Sequence, residues 1–126
     1  MIKRTSQSEI DSYIFKGKAI LVFGARQVGK TSLIKNTIKN QSYLWLNGDE
    51  PDTQLLLENI TSDRLKAIVG ENKILVIDEA QMIHNIGLLI KRMVDNHPEI
   101  QIIASGSSAF ELADKTKESM VGRKEE

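Results

Sequence analysis

The chain contains no cysteine, which excludes disulfide staples and every cysteine-ligated metal centre. Histidine is nearly as scarce: His84 and His97 are singletons, and neither has metal-ligand spacing. Net charge is also missing, because 17 basic residues balance 17 acidic ones. No global field therefore draws the protein to nucleic acid or to a membrane, although a local basic patch is compatible with that balance. There is neither a signal peptide nor an apolar run long enough to span a bilayer, so no membrane partner is expected and a cytoplasmic location is the default. Repeats, low-complexity tracts and linkers are absent as well. What is present, 40% apolar and 27% charged residues over 126 positions, suits one ordinary globular domain covering 1–126.

The stretch Gly24-Ala25-Arg26-Gln27-Val28-Gly29-Lys30-Thr31 matches G-x-x-x-x-G-K-[ST] in full. The apolar run Ala19 to Phe23 enters it as a buried strand, and Thr31 to Asn40 leaves it with helical spacing. Gly24 and Gly29 let the backbone curl so that successive N–H groups converge on one point. That point also lies on the axis of the following helix, whose positive end favours an anion. Lys30 can reach the β- and γ-phosphates of a nucleotide, and the Thr31 hydroxyl can bind Mg²⁺. Residues 24–32, Ser32 included, are the expected nucleotide contacts. The plain alternative is a glycine-rich turn with an incidental lysine.

Around this loop the pattern alternates strands and helices. Ser6-Gln7-Ser8-Glu9 fits a capping box for a helix from about Ser6 to Lys16, with Gly17 as its stop. Tyr43 to Leu46 reads as a short strand. Asn47-Gly48-Asp49-Glu50-Pro51-Asp52 then breaks the chain, with Pro51 suited to the first turn of a helix capped by Asp49 or Glu50. Leu55, Leu56 and Leu57 are expected to face the core from that helix, and Leu65, Ile68 and Val69 from the next, over Ser62 to Val69. The acidic cluster after the strand either faces the site's edge or is a solvated helix cap. Lys73 to Ile77 has no polar alternation, the pattern of a parallel strand covered on both faces. Ile86, Leu89, Ile90, Met93 and Val94 repeat at three and four, predicting an amphipathic helix that His97-Pro98 stops. Glu99 to Ala104 is the fourth strand, and a last helix is predicted from about Ser108 to Lys115, carrying Phe110 and Leu112.

Two further stations accompany the loop. Asp78 ends an aliphatic strand, as a Walker B carboxylate does, and can hold Mg²⁺ opposite Thr31. Glu79 follows; on an extended backbone its side chain would point away from that of Asp78. A carboxylate there can accept the proton of an attacking water, or the pair can simply cap the next helix. Ser105 stands at the expected end of the fourth strand, on the sheet edge where open parallel sheets bind ligands. Ser105 first, and Ser107 second, could orient water or touch the γ-phosphate; the alternative is a turn and helix cap.

GARQVGKTSLI, ILVIDEAQ, IIASGSSAFELADK and the Gly122-Arg123 pair together resemble the P-loop domain of AAA-type ATPases of the archaeal-ATPase-like group, from Arg4 to Arg123. The resemblance implies ATP and Mg²⁺ as ligands and a three-layer α/β P-loop NTPase fold of additional-strand type, its mainly parallel sheet ordered 5-1-4-3-2. It implies phosphate and metal contacts at Lys30 and Thr31, metal binding at Asp78, water activation at Glu79 and a sensor role at Ser105; Lys30, Glu79 and Ser105 are thus the expected catalytic set. Arg123 falls near the family's arginine finger, though a solvated arginine is the simpler reading. Members of that group continue into a fifth strand and a C-terminal domain, whereas no apolar run of strand length follows Leu112. The chain is therefore expected to be the N-terminal part of a longer protein, truncated before the fifth strand. Its first strand would then have an open flank, so the chain should self-associate, swap an element or cover that edge with its N- or C-terminal segment, and its turnover would be weak. Two other functions fit the same motifs. One is a nucleic-acid-stimulated motor, because Asp-Glu-Ala-Gln also resembles a helicase box; the other is a nucleotide-dependent switch with little turnover.

Overall fold

The computed structural model describes residues 19–23, 28–106 and 120–121. Its elements, in chain order, are β1 (Ala19–Phe23), α1 (Val28–Ile38), β2 (Tyr43–Asn47), α2 (Pro51–Leu57), α3 (Ser62–Val69), β3 (Ile74–Asp78), a 3-10 turn (Ala80–Met82), α4 (Ile86–Asn96), β4 (Gln101–Gly106) and β5 (Met120–Val121). The capping-box helix, Gly17, Arg4, Ser107, the helix predicted from Ser108, and Arg123 lie outside the described residues.

The strands form one parallel sheet of order β2-β3-β4-β1-β5, the order the family resemblance implies. The central strands are apolar through their middles because they are covered on both faces, and alternate residues serve opposite layers. Ile20, Val22, Ile74, Val76 and Ile103 pack on one side against Ile34 and Ile38 of α1. Leu21, Leu75, Ile77, Ile102 and Ala104 pack on the other against Leu57 of α2, Leu65 and Val69 of α3, and Leu89, Ile90 and Met93 of α4. The result is three layers, helix–sheet–helices.

The two helices α3 and α4 are stitched at their ends. Thr61 caps α3 by accepting a bond from the Arg64 backbone N–H. Asn96 donates to the Ser62 hydroxyl across 3.0 Å, and the His97 ring meets Asp63 Oδ1 at 3.0 Å. Gly70 ends α3 at φ 65, a left-handed region that suits glycine. His97 and Pro98 end α4 as the sequence predicts.

Two expectations need correction. Of the leucine triplet in α2 only Leu57 is buried; Leu55 is 71% exposed and Leu56 39%, because consecutive helical positions lie about 100° apart and cannot all face one layer. Ile68 of α3 is exposed for the same reason, while its neighbour Val69 is buried. The expected open flank of β1 is covered over its first two residues by the C-terminal segment, one of the outcomes foreseen for it: Ala19 pairs with Met120 and Ile20 with Val121, both parallel. A fifth strand thus stands where the sequence showed none, and it is two residues long.

Candidate functional site

Parallel strands place all their carboxyl ends on one edge of the sheet. β4 lies between β1 and β3, so that edge brings together the end of β1 at Phe23, the end of β4 at Gly106 and the end of β3 at Asp78. Helix α1 begins at Val28, so Gly24 to Gln27 are the whole connection between β1 and α1. The strand–loop–helix setting predicted for the phosphate-loop motif is therefore present, with the helix starting inside the motif, three residues earlier than the apolar spacing alone suggested. Gly24, Ala25, Arg26 and Gln27 are outside the described residues; Val28, Gly29 and Lys30 form the first turn of α1, followed by a half-buried Thr31 and an exposed Ser32. Orphan N–H groups of that turn make it an electropositive end.

Ser105 lies inside β4, one residue before its end, rather than just past it. It is fully buried, and its register partner on β1 is Val22. From there Ser105 Oγ donates to Asp78 Oδ1 across 2.5 Å. The same oxygen accepts the Glu79 backbone N–H at 3.0 Å. Among the described residues no donor meets Asp78 Oδ2. One carboxylate oxygen is thus fixed by two donors, and the other has none among the described residues, on a half-buried residue at the ligand edge of the sheet. That arrangement fits a single cation contact, with the Thr31 hydroxyl as the other side-chain oxygen predicted for it. Among the described residues no group of three or more acidic, histidine or cysteine side chains is placed to hold a metal ion.

Glu79 does not continue the strand. Its φ of 50 and ψ of 49 are left-handed, so the extended geometry expected for it is corrected. It occupies the N-cap position of the 3-10 turn, yet its side chain makes no capping bond, which removes the helix-cap explanation for this acid. Instead the side chain, only 5% exposed, accepts a bond at 2.9 Å from the Gln81 amide.

The turn after β2 touches the same place. Asn47 pairs with Asp78 in register, and Gly48 N–H donates to the Asp78 carbonyl at 2.6 Å. A Cβ on Gly48 would lie 2.9 Å from the Asp78 carbonyl oxygen and closer still to that of Glu79. The Asn47-Gly48 dipeptide reads in sequence as a turn; its glycine is needed for close approach, which only the pairing of β2 with β3 shows. Asp49, Glu50 and Asp52 follow on the carboxyl edge but at its outer end, exposed and beyond β3 and β4 from the phosphate loop. Glu50 takes the N-cap position of α2 with no side-chain bond, and Pro51 opens the helix.

A cavity of about 150 Å³ lies apart from this cluster, lined by Leu57, Ile60, His84, Asn85, Leu88 and Arg92 among others. None of the predicted site residues contributes to it.

Solved structures with the same fold include a DNA replication initiation factor, at 15% identity and a TM-score of 0.57 over 91% of this chain and 43% of that one. A replication initiator DnaA bound to AMPPCP and single-stranded DNA matches at 15% identity and a TM-score of 0.54, over 87% and 39% of the two chains. AMPPCP-bound DnaA from Aquifex aeolicus gives 16% identity and 0.55 over 86% and 39%. The chain spans about two fifths of the length of these structures. Among curated proteins there is no match. No helix among the described residues is long and apolar enough to cross a membrane. The family model for an AAA domain matches residues 16–126, nearly the whole chain, and with the phosphate-loop setting and the 5-1-4-3-2 sheet it makes the protein a member of the AAA family, a nucleotide-binding ATPase domain of P-loop type.

Proposed function

We propose that this domain binds Mg·ATP and that, in its full-length protein, it hydrolyses the nucleotide. The observation that carries the reading is the cluster at the end of β3, where Ser105 and the Glu79 N–H fix one oxygen of Asp78, with Ser105 on β4, the strand next to the one that feeds the phosphate loop. Backbone N–H groups of residues 24–30 and the Lys30 ammonium bind the phosphates; Thr31 and Asp78 hold the metal. Magnesium, when bound, supplies charge neutralisation on the phosphate oxygens. Ser105 keeps the Asp78 carboxylate in one orientation, and Glu79 accepts the proton of the attacking water. Catalysis of this kind is electrostatic and positional, with no covalent enzyme intermediate.

The Lys30→Ala variant tests the binding half of the reading. A ligand at one hundred times its dissociation constant stabilises its protein by about 2.7 kcal/mol, a shift of roughly 10 °C for a domain of this size. The parent should show that shift with Mg·ATP and the variant little of it, with equal stability when ligand is left out. Equal stabilisation of both by Mg·ATP would remove Lys30 from the site. Phosphate release measured with and without single-stranded DNA then separates a nucleic-acid-stimulated motor from a switch that holds ATP and barely turns it over.

A further inference from the structure

We propose that Glu79 is held by a two-point brace, with Gln81 on its carboxylate and Gly48 against its main chain, and that both are positioning residues for water activation. The proposal rests on the reading of Glu79 as the proton acceptor.

A left-handed backbone at a non-glycine residue is strained and persists only where its surroundings over-determine it. Here they do. The Glu79 N–H is tied to Asp78 Oδ1, and the Glu79 carbonyl accepts the Met82 N–H at 3.1 Å. Gly48 closes the other side: its N–H holds the Asp78 carbonyl, and its bare α-carbon packs where any Cβ would strike the carbonyls of Asp78 and Glu79. The turn that presents Gly48 is itself locked, since Gln54 Nε2 donates to the Gly48 carbonyl at 2.8 Å and Asn47 Oδ1 accepts the Asp49 N–H at 3.0 Å. The Glu79 peptide therefore cannot rotate without displacing the β2–α2 turn.

The side chain is fixed separately. A buried carboxylate requires hydrogen-bonded partners, and Gln81 Nε2 supplies one at 2.9 Å to Oε1. Gln81 sits two residues on, in the 3-10 turn, so the left-handed step at Glu79 is what brings the two side chains into contact. The main chain and the carboxylate are thus set by different residues, and both settings are needed to aim one oxygen. Misplacement by about 1 Å can cost on the order of a hundredfold in rate.

The test uses Gln81→Leu, which keeps the bulk and removes the donor, together with Gly48→Ala and Glu79→Gln in the full-length protein. With Gln81→Leu, kcat should fall at least tenfold while KM and the affinity for a fluorescent ATP analogue stay within about twofold. The double variant Glu79→Gln/Gln81→Leu should be no slower than Glu79→Gln alone, because both act through one group. Parental turnover in Gln81→Leu, or losses that multiply in the double variant, would overturn the brace. Parental turnover in Glu79→Gln would instead sink the assignment of the proton acceptor, a distinguishable failure. A measurement independent of turnover accompanies these: the ¹⁵N side-chain amide of Gln81 should exchange with water at least tenfold more slowly than exposed glutamine amides and should lose that protection in Gly48→Ala. Exchange at the exposed rate in the parent, or unchanged protection in Gly48→Ala, overturns the brace without any catalytic assay.

Discussion

Replacing Ser105 by alanine should reveal how much of the Asp78 geometry is stored in one hydroxyl. The substitution removes a single oxygen from a fully buried position, so it opens almost no cavity, and β4 keeps its pairing with β1 on one side and β3 on the other. What is lost is the bond to Asp78 Oδ1. A hydrogen bond to a charged group contributes about 1.5–3 kcal/mol. Asp78 is half-buried and retains the Glu79 N–H on the same oxygen, so water offsets part of the loss, and the expected cost is about 1–2 kcal/mol. For a domain of this length that corresponds to a Tm lower by roughly 4–8 °C. Urea unfolding of Ser105→Ala, Asp78→Asn and the double variant gives the coupling directly, and it should come out at about 1 kcal/mol. A loss under about 0.5 kcal/mol, or the same loss in both backgrounds, would show that the hydroxyl does not hold the carboxylate. The orienting role given to Ser105 would then have no physical basis.

Two further outcomes can be checked alongside it. Leu57→Ala should destabilise the domain by about 2–5 kcal/mol in denaturant unfolding, whereas Leu55→Ala, from two positions earlier in the same helix, should stay within about 0.5 kcal/mol; similar losses would mean that α2 is rotated from the orientation described. Asp78→Asn should flatten the Mg²⁺ dependence of ATP-induced thermal stabilisation, and a titration that superposes on the parent's would place the metal elsewhere.

Much of this was legible in the sequence because both readable signals, uninterrupted aliphatic runs and a complete phosphate-loop motif, arise from local needs. β3 is apolar from Ile74 to Ile77 because Ile74 and Val76 serve one layer while Leu75 and Ile77 serve the other, and such a run has few other uses. α4 shows its buried stripe at Ile86, Leu89, Ile90 and Met93 directly in its spacing. The illegible parts depend on partners remote in the chain or on backbone states without a signature. β5 is two residues long, shorter than any pattern window, and is defined by its pairing with Ala19 and Ile20. The left-handed step at Glu79 occurs at a residue type that does not announce it. Gly48 advertises a turn, while the contact that requires glycine lies on β3.

The strand order also has a consequence for the timing of folding. β1, which feeds the phosphate loop, has β4 and β5 as its neighbours, and its pairing of Ile20 with Ile103 spans most of the chain. β2 and β3 can zip together much earlier, since Tyr43 meets Ile74 across a far shorter loop. As the chain emerges from the ribosome, β1 must wait, without its β4 neighbour, until β2, the helices and β3 have been synthesised. β1 is consequently fixed on its β4 side only after β2 and β3 have had time to pair. During that interval Ala19 to Phe23 is the segment a chaperone, or a second nascent copy, would meet first.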